Sequence, residues 1–169
     1  MITDSTGIKQ IEAASGLSVS ELMERAGFLV AEALKELVTP GSRILFLAGK
    51  GNNGGDAFVA ARLLKQEYTC RVIAVSGKPS TEASAENRAK LSRRTFAPLK
   101  NFDQELAAAD AIVDAVFGFG FHGALPANLK ALFEKVNRSS KPVYSIDINS
   151  GAECDTDSFD KDAIRSDVT

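Results

Sequence analysis

Four short apolar runs, RILFLA (43–48), CRVIAVS (70–76), AIVDAVF (111–117) and PVYSID (142–147), alternate with stretches of helical character. This alternation constrains the fold more than any other feature. Each run is apolar on consecutive residues, which suits a strand covered on both faces. Strands that follow one another through helices pair in parallel, because a crossover returns the chain to the same end of the sheet. The expectation is an α/β fold: a Rossmann-like, three-layer α/β/α arrangement around a mostly parallel sheet. A length of 169 residues fits one such domain.

The intervening stretches carry their own signals. In LSVSELMERAGFLVAEALKELV (17–38), Ser18 and Glu21 have the spacing of a capping box. Leu22, Ala26, Leu29, Ala33 and Leu37 recur at helical intervals and are expected to form the buried stripe. TPGS (39–42) then stops the helix. Further helices are expected over 5–14, from Asp56 through DAFVAARLLKQEY, over STEASAENRAKLSRR as a polar, exposed helix, near 102–108, and over PANLKALFEKVNRS. The tail, GAECDTDSFDKDAIRSDVT, is acidic and turn-rich and ends where another strand begins.

Ligands of open parallel sheets collect beyond the carboxyl ends of the strands. Three loops fall there: GKGNNGGD after the first strand, GFGFHGALP after the third and DINSG at the end of the fourth. Gly49, Gly51 and Gly54 fit the G-x-G-x-x-G template of a dinucleotide turn. A dehydrogenase would add a carboxylate at the end of the second strand to hold a ribose. That end reads VSGKP, with no acid. Asp56 also sits where a helix start would receive a pyrophosphate, and no Lys-Ser or Lys-Thr follows the glycines as a Walker loop requires. Hydride transfer and a Walker-type phosphate site are therefore set aside.

The same loops hold hard oxygens. Asn53 offers an amide carbonyl, Asp114 a carboxylate and Ser150 a hydroxyl. One formal charge among oxygen donors suits a weakly charged hard cation better than zinc or iron. The other reading of each residue is structural, with Asn53 and Ser150 stabilising turns and Asp114 capping a loop. A net charge of −2 gives no footprint for nucleic acid or an anionic membrane surface. No apolar run approaches the roughly 20 residues needed to span a bilayer, and MITDSTGIKQ lacks the marks of a signal peptide. Cys70 and Cys154 lack metal-type spacing and read as free thiols of a reducing compartment. A soluble cytoplasmic protein is expected.

LMERAG in the first long helix, GKGNNGGDAFVAARLL, DAVFGFGFHGAL and DINSG resemble, in order and spacing, the YjeF N-terminal domain family, which contains the NAD(P)HX epimerases. The resemblance runs from about residue 8 to the end of the chain and implies interconversion of the R and S forms of hydrated NADH and NADPH (NADHX and NADPHX) at C6 of the nicotinamide ring. An ADP- or ATP-dependent dehydratase would then act on the S form. The resemblance implies substrate contacts by Asn52, Asn53, Gly54, Gly55, Asp56, Gly118, Phe119, Gly120, Phe121, His122, Gly123, Ala124 and Asp147. It also matches Asn53, Asp114 and Ser150 to the ligands of a potassium ion, K+, and points to a homodimer. Asp147, a carboxylate at a strand end beside a bound ring, is the expected acid/base residue. The family pattern asks for no histidine at His122, which is not assigned to catalysis.

Two departures stand out. Ala57 replaces the glycine that usually follows N-N-G-G-D, and Asn149 replaces the proline of D-I-P-S-G, which would stiffen the loop. Family domains also continue beyond DVT, so the chain is expected to be a segment or shortened relative of such a domain, or the front half of a bifunctional epimerase–dehydratase. In that case a sheet edge would be exposed, with the region after Asp157 mobile or packed on a neighbour. YjeF-like domains also serve as non-catalytic nucleotide-binding, dimerisation or scaffold modules, and the intact loops favour the enzyme.

Overall fold

The computed structural model describes residues 5–156 and 159–169. The four apolar runs form β1 (Arg43–Ala48), β2 (Thr69–Ala74), β3 (Ala111–Ala115) and β4 (Val143–Ser145). They pair in parallel in the order β2-β1-β3-β4. Residues 44–48 of β1 are fully buried, as the uninterrupted apolar run requires. Ile44, Phe46 and Ala48 join the core on one face of the sheet, whereas Leu45 and Leu47 join the core on the other. The three-layer expectation holds.

Six α-helices complete the layers: α1 (Ser5–Ala14), α2 (Val19–Leu37), α3 (Asn52–Leu64), α4 (Glu82–Ala89), α5 (Phe102–Ala108) and α6 (Ala127–Arg138). α2 and α3 cover one face of the sheet through Leu34, Phe58 and Leu64, and α4 packs against α3. α5 and α6 cover the other through Phe102, Leu106, Leu129 and Phe133. Ala57–Ala61 of α3 are all fully buried, because this helix lies between the sheet and α2 and α4. No helix among the described residues is long and apolar enough to cross a membrane.

Four expectations are corrected. The capping box at Ser18 and Glu21 forms, but α2 buries Met23, Gly27, Ala31 and Leu34 instead of the stripe containing Leu29 and Leu37. The reason is a close approach to α3: a Cβ on Gly27 would lie 2.4 Å from Cβ of Val59. Helix α3 starts at Asn52, four residues before Asp56, so both asparagines belong to its first turn. α4 is not a solvated helix, since Ala83, Ser84 and Asn87 are buried.

The last correction concerns the tail. Asp157 and Ser158 lie outside the described residues, but residues 159–169 pack on their own chain. Ile164 is buried in the core, and Val168 bridges to Tyr144 in parallel, with Ser145 N donating to Val168 O at 2.9 Å. The outer side of β4 is thus engaged. The outer side of β2 is engaged as well, by a parallel bridge from Val72 to Phe96.

Candidate active site

A cleft of about 660 Å³ opens beyond the carboxyl ends of β1, β3 and β4. Asn52, Asn53, Asp56, Ala124 and Asp147 line it, together with the run from Gly118 to His122. The tertiary structure therefore gathers most of the anticipated residues on one wall. Gly54, Gly55 and Gly123 are not in the lining. Further residues line it that were not singled out as site residues from the sequence, among them the charged Lys9 and Glu12 from α1 and Lys50 from the glycine turn. Nothing local to α1 marks it as part of a site, because only tertiary packing carries it to the cleft.

The glycine spacing has a packing cause. A Cβ on Gly49 would lie 1.9 Å from the Val116 carbonyl oxygen, and one on Gly54 would lie 2.2 Å from the Gly49 carbonyl oxygen. Backbone thus lies directly on backbone, which only glycine permits. Gly51 caps α3 without a side-chain hydrogen bond, leaving the first-turn amides of the helix free of any side-chain cap. The loop after β2 is fastened to this turn. Ser80 N and Oγ donate to Lys50 O, and Thr81 Oγ1 donates to Asn52 Oδ1 at 2.8 Å.

Beneath the cleft lies an oxygen cluster. Asp114 is fully buried. Its Oδ1 accepts from Ser150 Oγ at 2.6 Å and Val116 N at 3.2 Å. Oδ2 accepts from Ser150 N at 2.8 Å and Ser145 Oγ at 3.0 Å. Ser150 Oγ in turn accepts from Phe117 N. Asn53 Nδ2 donates to the carbonyls of Phe117 at 2.8 Å and Ile146 at 3.3 Å. Asn53 Oδ1 is buried with no partner. Burial pushes the Asp114 carboxyl up, against the pull of its four hydrogen bonds. No cationic side chain forms an ion pair with it among the described residues. An orphaned amide oxygen beside a buried carboxylate, a hydroxyl and two carbonyls is a donor set that fits a hard monovalent cation.

Asp147 stands above this cluster. Its backbone has φ +72°, one of two non-glycine residues with positive φ among those described. Oδ2 accepts from Phe119 N at 2.7 Å. Gly118 leaves it room, since a Cβ there would approach Asp147 Oδ2 to 2.5 Å. Burial pushes the Asp147 carboxyl up, and the Phe119 N–H works against that. Phe117 and Phe121 stack at 4.4 Å between ring centroids, giving the loop an aromatic side. His122 is exposed at the rim.

Asp56 is a second carboxyl on the same wall, with no hydrogen-bond donor reaching it among the described residues. It is pushed up to about 7, chiefly by removal from water and further by the negative charges of Asp147 and Glu12. The folded protein therefore retains this proton where the unfolded chain, with its ordinary value of 3.8, has lost it. Stability falls as pH rises between those two values and is level outside them. The stability of Asp56→Asn relative to the unmodified chain should therefore grow by up to about 4 kcal/mol between about pH 4 and pH 8. Urea unfolding at the two pH values measures it, and a difference independent of pH would overturn the assignment.

Comparison with known proteins adds to this geometry. The chain matches the family described as YjeF-related protein N-terminus over residues 19–169. It is 31% identical over 156 residues to the NAD(P)H-hydrate epimerase of Limosilactobacillus fermentum, covering 91% of this chain and 74% of that protein. It is 35% identical over 154 residues to the bifunctional NAD(P)H-hydrate repair enzyme Nnr of Archaeoglobus fulgidus, covering 91% of this chain but 32% of that one. The chain likewise spans 50% of the NAD(P)H-hydrate epimerase of Plasmodium knowlesi. The crystal structure of yeast ynu0 (YNL200c) superimposes with a TM-score of 0.86 at 27% identity, covering 98% of this chain and 77% of that one.

Proposed function

The chain belongs to the family of YjeF-related protein N-termini, and we propose that it is an NAD(P)H-hydrate epimerase, an isomerase of nicotinamide nucleotide repair. Its substrates are NADHX and NADPHX, whose R and S forms it interconverts at C6 of the hydrated ring. The observation that carries this reading is the convergence of Asp147, Asn53 and the Gly118–Ala124 loop on one cleft at the carboxyl end of the sheet. Relatives named NAD(P)H-hydrate epimerase support it.

In this reading the residues divide the work by their chemistry. The uncapped first turn of α3, with Lys50 beside it, favours the anionic part of the nucleotide. Phe119 and Phe121 offer apolar surface to the ring. Asp147, pinned by Phe119 N, moves the proton at the C6 centre. Potassium, when bound, supplies a fixed positive charge to the buried Asp114 carboxylate, with Asn53 and Ser150 as its other side-chain ligands. The product passes to an ADP- or ATP-dependent dehydratase, as the bifunctional repair enzymes suggest. A free Cys70 fits a reducing, cytoplasmic setting.

The test mixes the protein with R-NADPHX, an excess of dehydratase specific for the S form, and ATP. Recovery of NADPH absorbance at a rate set by the protein is the expected result. Nucleotide binding without recovery would favour a non-catalytic module.

We also propose a homodimer. With both sheet edges engaged, the surface that favours it is the outer face of α2, where Phe28 is 51% and Leu29 66% exposed. Light scattering should give twice 18.0 kDa at micromolar concentration, and Leu29→Glu should halve it. A monomer at every concentration would refute the dimer.

A further inference from the structure

Asp147 is held in an unfavourable backbone conformation. Its φ is +72°, and Ile148 N donates to Ile146 O at 3.0 Å across it. This is the γ-turn with positive φ at its centre, the rarer and more strained of the two γ forms. Such a conformation persists only when its surroundings over-determine it. Ahead of the turn, Ile146 N donates to Asp114 O at 2.8 Å. Behind it, the next polar side chain is Asn149.

Asn149 points away from the cleft lining and into the chain's last residues. Its Nδ2 donates to Ile164 O at 3.0 Å, and its Oδ1 accepts from Ser166 Oγ at 3.1 Å and Thr169 Oγ1 at 2.7 Å. The far end of this clamp is firm. Ile164 is 2% exposed, and its N–H donates to Ser150 O. Asp167 N donates to Val143 O, which fastens the same segment to β4. The amide donates to a carbonyl and accepts from two hydroxyls at once, which neither an ionised aspartate nor a leucine could do.

We infer that Asn149 is a positioning residue: it clamps the turn carrying Asp147 to the segment 164–169 and so fixes where that carboxylate points. This rests on the epimerase reading for its consequence in turnover, but the clamp itself is a property of the fold. A proline at 149 could do the same work by restricting the backbone. The Asn149 N–H has no partner to lose among the described residues, and a ring that fixes φ limits the freedom of the turn.

The experiment uses the full chain and three variants: Asn149→Ala, Asn149→Pro and the double change Ser166→Ala with Thr169→Ala. Amide hydrogen exchange over 146–150 should quicken about ten-fold in Asn149→Ala and in the double variant, with exchange in β1 and α3 unchanged. In the coupled assay kcat should fall about 10- to 100-fold, with KM little altered. Asn149→Pro should restore both slow exchange and kcat. Unaltered exchange in Asn149→Ala would overturn the clamp. Faster exchange with full kcat would overturn the positioning role. A parent chain without any turnover would instead strike the epimerase reading, with the exchange contrast still deciding the clamp.

Discussion

Asp147→Asn is expected to lower the rate of NADPH recovery in the coupled assay by about 10²–10⁴-fold while leaving the fold intact. The asparagine is close in size, and it tolerates positive φ better than most residues, so the turn at +72° need not rearrange. Its amide oxygen can still accept from Phe119 N, the one hydrogen bond that the Asp147 side chain makes among the described residues, at 2.7 Å. The side chain keeps the space that Gly118 leaves for it. Only the capacity to take and return a proton is lost. Circular dichroism and melting should therefore match the parent chain within about 1 kcal/mol. Turnover close to the parent's would remove Asp147 from the chemistry.

Asp114→Ala is expected to have the largest effect on stability. The carboxylate is fully buried and accepts four hydrogen bonds, from Val116 N, Ser150 N, Ser150 Oγ and Ser145 Oγ. An alanine leaves those donors facing one another around a small void, with no water to satisfy them. Stranded buried donors each cost about 1–3 kcal/mol, so a loss of about 3–5 kcal/mol is expected after relaxation. If Asn53, Asp114 and Ser150 hold potassium, the parent chain should melt higher in potassium than in lithium chloride at equal ionic strength. Binding to the folded state alone raises its stability by mass action, and matched ionic strength removes general screening. The variant should lose that difference along with its stability. Identical melting of the parent in both salts would refute the ion.

Much of this was legible in the order of residues. Consecutive apolar residues in RILFLA report burial on both faces, and residues 44–48 of β1 are fully buried. Ser18 and Glu21 report a helix start, and the capping box forms there. Both signals are local: the residues that carry them lie within one turn or one strand of where they act. The alternation of strand and helix then leaves few topologies, so the three glycine-rich and polar loops had to share one end of the sheet.

What the sequence determined by itself, then, was the class of fold, the end of the sheet that would carry the site and many of the residues lining it. The tertiary structure decided which of two apolar faces of α2 is buried. Both faces repeat at helical spacing, and the choice falls to the one with Met23, Gly27, Ala31 and Leu34, because the missing side chain of Gly27 lets α3 approach there. It also decided the meaning of the glycines, since Gly49 and Gly54 answer to carbonyls that the fold brings against them. Asp56 drew its raised proton affinity chiefly from burial by the fold and further from Asp147 and Glu12, residues 91 and 44 positions away. The conformation of Asp147 depended on Asn149 and a segment ending at Thr169. Periodicity and capping are written in neighbouring residues, whereas close approach, desolvation and strain depend on partners that only folding brings together.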